Sequence, residues 1–430
     1  MSVKNAALVA VLALSAATTG ARAGGVSPGS TALVSVAWDG TQARGWADEV
    51  SISADGRFVA FSSDGDDIAS GDSNETSDVF VRDTATNMTR LVSVAPFGRA
   101  GDGQSWMPWI SANGRYVAFV SVASDLVASQ PPDGINVFVR DLETRVTTLE
   151  SHAVGVSLRP ALSADGRFLS YESNGGRIYV RDRKLGTTEV VSGAPAGGAA
   201  NDAAIGPAPL SSDGRYVAFG SAASNLVSGD TNDAYDVFVR DRKFGVTSRV
   251  SVGSGGAQGN SHSLEPSMSS LGDRIAFSSD ASNLVAGDAN GTSDVFVRDV
   301  PSGRTTLVSA NVAGLQGDWI SGRPSIDPTG ASVAFRSKAG NLTLRPGNGW
   351  SQIFVRDLAA GTIEMISVDD FGNPGDANSG MSATSTGGRF VAFDSLAGNL
   401  VAGGEGETSN AFVRDRAGPC QVPVCPIPNL

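Results

Sequence analysis

A repeated sequence unit constrains the fold of this chain more than any other feature. Each copy contains an aromatic residue that is followed, at a distance, by an Arg-Asp pair. The spacing of these two landmarks is the same in six copies and is shorter in the third, between Tyr171 and Asp182. We number the copies units 1 to 7 in chain order. The aromatic residues are Phe61, Phe119, Tyr171, Phe219, Phe277, Phe335 and Phe393, and the aspartates are Asp83, Asp141, Asp182, Asp241, Asp299, Asp357 and Asp415. Such self-similarity is typical of propellers and other repeat folds, and the short third unit predicts a truncated loop.

Each unit is predicted to form four short strands. In unit 1 they are Glu49–Ser53, Phe58–Ser62, Asp78–Arg82 and Thr89–Ser93, and an Asp-Gly turn at Ala54–Arg57 joins the first two. Runs of this length that mix small, β-branched and aromatic residues, with turn residues between them, are strand signatures. The 53 glycines also favour short strands and tight turns over helices. Arg82 and its equivalents recur in every unit, so we interpret them as structural partners of turn carbonyls or of the adjacent aspartate.

The N-terminal segment supplies a strand that the last unit lacks. In units 1 to 6 the fourth strand ends in a serine at a fixed distance after the aspartate, but after Asp415 the chain enters a tail that contains Pro and Cys. The missing strand is predicted at Thr31–Val36, where Ser35 precedes Ser93 by one full repeat period. The sequence therefore predicts an all-β fold, a seven-bladed β-propeller of four-stranded blades. The N-terminal strand is expected to close the ring by completing the last blade, which buries the edges of the array.

A signal peptide is predicted at residues 1–23. Lys4 precedes an apolar run at Ala6–Ala17, and Ala21-Arg22-Ala23 fits a small-x-small cleavage site. No second apolar run of membrane length follows, so we expect no membrane insertion. The mature protein is therefore expected in the periplasm or outside the cell, with its propeller at residues 24–416.

A C-terminal tail at residues 417–430 contains Cys420 and Cys425, the two cysteines of the chain. In an oxidising compartment a local disulfide between them is expected. Metal binding by the thiol pair is the less favoured interpretation, because no His or further Cys lies nearby in the sequence.

The charge balance excludes some classes of partner. The chain has a net charge of −12, which becomes more negative when Lys4 and Arg22 are removed with the signal peptide. Such a surface disfavours nucleic acid and anionic membranes. It is compatible with cations and with neutral ligands such as glycans, and we expect a monomer.

The repeated unit S-x-D-G-R-(F/Y)-V-A-F-x-S, followed by D-V-F-V-R-D, resembles the WD40-like "PD40" propeller repeat of the TolB family. Residues 53–61 and 211–219 are close matches, and the resemblance covers about residues 31–415. It implies a propeller fold, but binding proteins, peptidase gating domains and lyases share this repeat, so it implies no single function.

This sequence departs from the family in several respects. TolB has six blades and an N-terminal α/β domain, whereas this chain has seven units and no room for such a domain before Thr31. The hydrolase domain of prolyl oligopeptidases does not fit into the few residues that follow the propeller. The PD40-like lyases of pectate fragments are expected to use a histidine cluster around a metal, but the two histidines here, His152 and His262, lie in different loops.

Two kinds of loop are expected to share one face of the propeller, which we call the long-loop face. They are the loops between second and third strands and the connections between consecutive units, while the turns after first and third strands form the opposite, short-turn face. Binding sites usually lie on long loops that a rigid scaffold presents. Five tryptophans lie in or beside these loops and are ligand-face candidates, either as a stacking platform for sugar or peptide or as caps of the hydrophobic clefts between blades: Trp46, Trp106, Trp109, Trp319 and Trp350.

Three of the loops between second and third strands contain the pattern Gly-Asp-x-Asn-x-x-x-Asp. Oxygen ligands at alternate positions of a Gly-containing loop resemble the start of a Ca²⁺ loop. No bidentate Glu follows at a fixed position, and Asx-turn hydrogen bonds explain Asp and Asn equally well. Calcium is thus one interpretation, and its candidate ligands are Asp72, Asn74, Asp78, Asp230, Asn232, Asp236, Asp288, Asn290 and Asp294.

Catalytic motifs are not found in the sequence. It contains no Gly-x-Ser-x-Gly elbow, no HExxH and no phosphate-binding loop. The leading hypothesis is a non-enzymatic propeller whose long-loop face binds a protein or a glycan. The alternatives are a polysaccharide-active enzyme, a lyase or glycoside hydrolase with its site at the channel mouth, and a calcium-stabilised structural propeller.

Overall fold

The computed structural model describes residues 26–416, apart from residues 97, 130, 132, 152–154 and 174. Within this part of the chain the protein is all-β and has almost no helix. Two three-residue 3-10 segments occur, at Pro195–Gly197 and Thr386–Gly388. No described helix has the length and apolar character needed to cross a membrane. The signal peptide, the C-terminal tail with both cysteines, and His152 lie outside the described residues.

The strands are numbered in chain order, and most contain six residues. The N-terminal strand and those of units 1 to 3 are β1 (Thr31–Leu33), β2 (Ala47–Ile52), β3 (Phe58–Ser63), β4 (Asp78–Asp83), β5 (Met88–Leu91), β6 (Ser105–Ile110), β7 (Tyr116–Ser121), β8 (Gly134–Asp141), β9 (Val146–Leu149), β10 (Gly155–Leu162), β11 (Phe168–Ser173), β12 (Arg177–Asp182) and β13 (Thr187–Val190). Those of units 4 to 7 are β14 (Ala204–Ile205), β15 (Tyr216–Ser221), β16 (Asp236–Asp241), β17 (Val246–Arg249), β18 (Ser263–Met268), β19 (Arg274–Ser279), β20 (Asp294–Asp299), β21 (Arg304–Leu307), β22 (Ser321–Ile326), β23 (Ser332–Ser337), β24 (Gln352–Asp357), β25 (Ile363–Met365), β26 (Ser379–Thr384), β27 (Phe390–Ser395) and β28 (Asn410–Asp415).

Each unit forms a four-stranded antiparallel sheet in which the strands lie in sequence order. In unit 7 the fourth position is taken by β1, which pairs antiparallel with β28, and Leu33 lies opposite Phe412. The sheets of units 2 and 3 are joined into one eight-stranded sheet, because β10 pairs in parallel with β8 at Gly155 and Gly134. As predicted, the third unit has a truncated loop, since β11 ends at Ser173 and β12 begins at Arg177.

A pair of stacked aromatic rings occupies the middle of every sheet. The repeated aromatic residue of the second strand lies opposite an aromatic residue of the third, as Phe61 lies opposite Phe80, with ring centroids 5.6 Å apart. Stacked pairs of this kind contribute about 1 kcal/mol beyond the burial of their surface. The other pairs are Phe119–Phe138, Tyr171–Tyr179, Phe219–Phe238, Phe277–Phe296, Phe335–Phe354 and Phe393–Phe412.

The buried apolar side chains form clusters between consecutive sheets. One cluster combines Ala60 and Val79 of unit 1 with Phe119 of unit 2. Equivalent clusters join each later pair of units. A further cluster combines Phe61 of unit 1 with Ala392 of unit 7. Both faces of each sheet are therefore covered, which explains why successive residues of the second strands are buried.

An arginine–aspartate pair recurs at the short turns. The Arg57 guanidinium donates to both carboxylate oxygens of Asp83, at 2.9 and 2.7 Å, and stacks over the ring of Phe58 at 4.8 Å. Of the two partners expected for Arg82 and its equivalents, the adjacent aspartate is not observed at Arg82, which donates to Thr89. Turn carbonyls are observed as partners in other units, since Arg298 donates to the Gly303 carbonyl at 2.6 Å. The pairs are Arg57–Asp83, Arg115–Asp141, Arg167–Asp182, Arg215–Asp241, Arg274–Asp299 and Arg389–Asp415.

Candidate functional site

The two kinds of long loop meet at one end of the sheets. The Ala100 amide, in the connection between units 1 and 2, donates to the Gly71 carbonyl of the loop between β3 and β4 at 2.9 Å. At the start of unit 1, the Trp38 amide likewise donates to the Asp67 carbonyl at 2.9 Å. Gly71 has a φ of +92°, and a Cβ there would lie 2.8 Å from the Gly98 carbonyl, so this close approach requires glycine.

One position near this end breaks the repeat. It directly follows the repeated aromatic residue of each second strand, and its side chain differs in polarity and charge from unit to unit. A neighbouring feature is a β-bulge in the first strand of six units, which shifts the register against the second strand and redirects side chains. The residues at the variable position are Ser62, Val120, Glu172, Gly220, Ser278, Arg336 and Asp394.

Asp394 belongs to a group of carboxylates between the last and first units. Its carboxylate accepts a hydrogen bond from the Met381 amide at 2.7 Å. The pKa of Asp394 is raised to about 7, mainly by burial and to a smaller extent by the negative charge of Asp48. Burial also raises the pKa values of Asp48 and Glu49. Carboxyl groups with raised pKa values are a common feature of functional sites.

A cavity of about 300 Å³ lies between the sheets of units 5 and 6. Its lining includes three cationic side chains, Arg323, Arg336 and Lys338, together with His262 and Glu265. The Glu265 carboxylate accepts hydrogen bonds from the Ser278 hydroxyl and the Arg323 amide, both at 2.8 Å. Arg336 is partly buried, and its guanidinium makes no hydrogen bond or ion pair within the described residues. Burial lowers its pKa, and the charges of Glu265 and Asp394 oppose this effect. The cavity thus presents to a ligand a guanidinium without a hydrogen-bond partner in the described part of the chain.

A larger cavity of about 400 Å³ lies at the short-turn end, between units 1 and 2. Its lining includes Phe58, Asp83 and Arg115, which belong to the repeated arginine–aspartate arrangement. The Glu265 contacts recur at Glu49 in unit 1, but no other unit has a cationic side chain at the position of Arg336 or of Lys338. We therefore consider the smaller cavity the better candidate site. His262 is held there by its Nδ1 atom, which accepts a hydrogen bond from the Tyr235 amide at 3.0 Å.

The five candidate tryptophans fall into two groups. Trp46, Trp319 and Trp350 lie on the long loops and are 51, 58 and 46 % exposed. Trp106 and Trp109 lie within β6 rather than in a loop, and they pack against the apolar cluster between units 2 and 3. The sixth tryptophan, Trp38, which no sequence pattern singles out, is 78 % exposed in the connection between β1 and β2.

The three Asp-Asn loops share one clamp. In unit 1 the Asn74 amide nitrogen donates to Asp78 Oδ2 at 2.8 Å and to the Gly101 carbonyl at 2.7 Å. Asn232 and Asn290 make the same two contacts in units 4 and 5. Each asparagine therefore fastens its loop to the following connection. The last aspartate of each loop also accepts a hydrogen bond from a serine at the end of the fourth strand, and these pairs are Ser93–Asp78, Ser251–Asp236 and Ser309–Asp294.

The first aspartates of these loops differ in their partners. Asp230 and Asp288 accept hydrogen bonds from Gln258 and Gln316, at 2.8 and 2.5 Å. Asp72 Oδ1 is buried and has no hydrogen-bond partner within the part of the chain that the structure describes. Within the described residues, no group of three or more His, Cys, Asp or Glu side chains is arranged to hold a metal ion. Any cation in these loops would therefore need hydroxyl, carbonyl or water ligands besides two carboxylates.

Comparisons with known proteins concern the fold. No protein-family model matches the sequence, and no curated protein is significantly similar to it. Similar solved structures include TolB from Acinetobacter baumannii, with 15 % identity over 75 % of this chain and 63 % of that one and a TM-score of 0.42. They also include the tricorn protease, with 14 % identity over 85 and 33 % of the two chains and a TM-score of 0.49.

A third solved structure is oligogalacturonate lyase in complex with manganese, with 13 % identity over 71 % of this chain and 87 % of that one and a TM-score of 0.40. This chain thus spans less than two thirds of the A. baumannii TolB and one third of the tricorn protease. A lyase and a protease occur beside TolB, and at these identities the matches assign no function.

Proposed function

We propose that this protein is an exported, non-enzymatic TolB-like propeller whose long-loop face binds a protein or a glycan. The observation that supports this proposal is that the two ends of the sheets differ in how regularly their side chains repeat. The short-turn end repeats the same contacts from unit to unit, whereas the long-loop end varies its side chains at a fixed position. Contacts that every unit repeats serve the sheets, and a set of side chains that differs between equivalent positions is suited to one asymmetric ligand.

The proposed architecture is a ring of seven blades closed by β1. Three observations support it: the seven repeats of the sequence, the pairing of β1 with β28, and the cluster that combines residues of units 7 and 1. Closure in this way leaves no open sheet between the ends of the array. Export is supported by the basic, apolar and small-residue pattern of residues 1–23.

The proposed binding site is the cavity between units 5 and 6 with the loops beside it. The Arg336 guanidinium, which makes no hydrogen bond within the described residues, is suited to a carboxylate or to a pair of hydroxyl groups. Trp319 is exposed in the connection that leads into β22, where its ring is available for stacking on a sugar or a peptide side chain. A ligand that combines polar groups with a flat apolar surface fits this lining.

The proposal is tested by measuring binding of the mature protein to immobilised neutral polysaccharides, uronate-containing polysaccharides and peptidoglycan. The substitutions Arg336→Met and Trp319→Ala should each weaken binding at least tenfold. Phe244→Ala, which removes an exposed ring from the short-turn face, is the matched control and should leave binding unchanged. Binding that survives both long-loop substitutions, or that is lost in the control, contradicts the proposed site. If none of these polymers binds, the glycan half of the proposal fails.

A second candidate function is the cleavage of a polysaccharide at the carboxylates between units 7 and 1. Asp394, with a pKa of about 7, lies close enough to Asp48 for the two charges to interact. One protonated and one ionised carboxyl group form the usual pair of a glycoside hydrolase. Release of reducing ends or unsaturated products from the same polysaccharides, abolished by Asp394→Asn and retained by Arg336→Met, would favour this function. Intact polymer after prolonged incubation would exclude it for these substrates.

A further inference from the structure

The three Asp-Asn loops differ in what lies between their two aspartates. In unit 4, Gln258 Nε2 donates to Asp230 Oδ1 at 2.8 Å and to Asp236 Oδ2 at 3.2 Å. The Arg249 guanidinium reaches the same two oxygens, at 3.3 and 3.1 Å. These donors neutralise and solvate two carboxylates that burial has removed from water. The pair in unit 4 is thus satisfied by side chains of the protein itself.

In unit 5 a single glutamine amide bridges the two carboxylates. Gln316 Nε2 donates to Asp288 Oδ1 at 2.5 Å and to Asp294 Oδ2 at 2.7 Å. Leu307 occupies the repeat position of Arg249, and no arginine reaches these carboxylates within the described part of the chain. A single bridging glutamine is therefore sufficient to hold this loop.

Unit 1 has neither donor. Ala100 stands where units 4 and 5 have Gln258 and Gln316, as the equivalent bridges Val94–Ala100, Val252–Gln258 and Ala310–Gln316 demonstrate. Leu91 stands at the position of Arg249. The two carboxylates of this loop therefore lack the amide that joins their counterparts in units 4 and 5.

The carboxylates of unit 1 are nevertheless buried. Asp72 is 9 % exposed and its Oδ1 atom has no hydrogen-bond partner among the described residues, while Asp78 is fully buried. An unpartnered buried carboxylate is costly unless a positive charge accompanies it.

We propose that a calcium ion binds between Asp72 and Asp78 in unit 1, in the place that the glutamine amide takes in units 4 and 5. Both carboxylates supply the hard oxygen ligands that Ca²⁺ prefers, and carbonyl, hydroxyl and water oxygens commonly complete its shell. Among the described residues the Thr76 hydroxyl is also buried without a partner and is a candidate third ligand, but its counterpart Thr292 in unit 5 shares this property. The feature that separates unit 1 from unit 5 is therefore the unpartnered Asp72 Oδ1 atom. The loops of units 4 and 5 bind no cation, because their own side chains occupy the site. This inference does not depend on the proposed ligand of the long-loop face.

The test is the number of calcium ions bound per mature chain, measured at pH 7.5 by equilibrium dialysis against Ca²⁺ after removal of metal by a chelator. One ion per chain is expected. Asp72→Asn and Ala100→Gln should each weaken binding at least tenfold, the second by supplying the bridging amide of units 4 and 5. Asp230→Asn and Asp288→Asn are the matched controls and should retain the ion.

Thermal unfolding provides a second measurement, because a ligand that binds the native state raises the melting temperature. Calcium should raise the melting temperature of the wild type and of Asp288→Asn, but not that of Ala100→Gln. In excess chelator, Ala100→Gln should melt above the wild type, since its glutamine replaces the missing donor. Ala100→Gln decides the question even if Asp72→Asn does not fold. The proposal is overturned by no bound ion or three bound ions in the wild type, or by an ion that Ala100→Gln retains.

Discussion

The short-turn end and the long-loop end of this molecule are built from the same seven units, yet they differ in how many of their side-chain contacts repeat from unit to unit. At the short-turn end, six units repeat one arginine–aspartate pair, and within the described residues only unit 6 lacks it, because Ala331 replaces the arginine. At the long-loop end the asparagine clamp also repeats. However, the variable position that follows the repeated aromatic residue of the second strand holds Ser, Val, Glu, Gly, Arg or Asp.

This difference separates contacts that maintain the sheets from groups that are available to a ligand. A contact closed within one unit, such as Arg57 with Asp83, has its donors and acceptors paired in each of the six units that contain it. A group such as Arg336 has no partner in the described protein, although its neighbours in sequence are the same as in other units. Unsatisfied polar groups in a native structure require an explanation, and here they concentrate at the long-loop end.

The largest effect should come from breaking a repeated contact at the short-turn end. Asp83→Ala removes the acceptor of two hydrogen bonds from Arg57 and should destabilise the protein by about 2 kcal/mol, since Asp83 is buried and Arg57 is half exposed. Arg57 holds the pKa of Asp83 below its usual range. The stabilisation is therefore present above the unfolded pKa of about 4 and is lost as pH falls through the lower folded value. Urea unfolding at pH 7 and pH 3 measures both effects.

Asp357→Ala is the matched control for this substitution. Asp357 accepts hydrogen bonds from the Ala359 and Ala360 amides, as a turn aspartate does, but it has no arginine partner within the described residues. Its removal should cost about half as much, because it removes turn contacts alone. Equal losses in the two variants would indicate that the repeated pair contributes nothing and that the turn alone stabilises this end.

A second effect should appear at the long-loop end and should depend on pH in the opposite sense. The pKa of Asp394 is raised to about 7, with Asp48, Arg323 and the Met381 amide around it. Ionisation in the unfolded chain begins near pH 4, so the stability associated with this group falls as pH rises from about 4 to 7. Asp394→Asn removes this loss, so the stability of the variant relative to the wild type should increase from pH 4 to pH 8. A difference that does not change with pH would contradict the raised pKa.

Much of the fold could be predicted because the repeat marks the same residues seven times. The predicted strand Phe58–Ser62 is observed as Phe58–Ser63, and Asp78–Arg82 as Asp78–Asp83. The predicted first strand of unit 1 is displaced, because it begins at Glu49 instead of Ala47. A bulge explains this error, since Glu49 has a φ of +54° and interrupts the alternation on which strand prediction relies.

The candidate site was less predictable, because its decisive residues are far apart in sequence. The Asp-Asn loops could be found from their spacing, but Gln258 lies 28 residues after Asp230, and its contact with that aspartate is visible only in the folded chain. Ala100 carries no signal by itself. It becomes informative when the bridges of units 1, 4 and 5 are aligned. The cavity around Arg336 is likewise not predictable, since a lone arginine in a strand indicates no site.

Converting the loop of unit 5 into one that resembles the loop of unit 1 tests whether the bridging glutamine excludes a cation. Gln316→Ala removes the bridging amide of unit 5 and makes its environment resemble that of unit 1, with Ala in the place of Gln and Leu307 in the place of Leu91. In chelator the substitution should destabilise the protein by about 1 to 2 kcal/mol, because the Asp288–Asp294 pair loses its donor. With calcium present, this variant should recover part of the loss and bind one ion more than the wild type. A loss that calcium does not reduce would show that a pair of buried aspartates is not sufficient to form the site.

The smallest effect on stability is expected for Trp319, and this small effect distinguishes a ligand-binding role from a packing role. The side chain is 58 % exposed, so Trp319→Ala should change the free energy of unfolding by less than about 0.5 kcal/mol. Phe244→Ala at the short-turn face, where the ring is 67 % exposed, should be equally neutral. Chemical denaturation of both variants provides the measurement. If Trp319 instead capped a hydrophobic cleft, its removal would cost several times more than that of Phe244, and the tryptophan would belong to the structural contacts of the sheets. If the two variants are equally stable and only Trp319→Ala loses ligand binding, then Trp319 serves ligand binding and not the stability of the sheets.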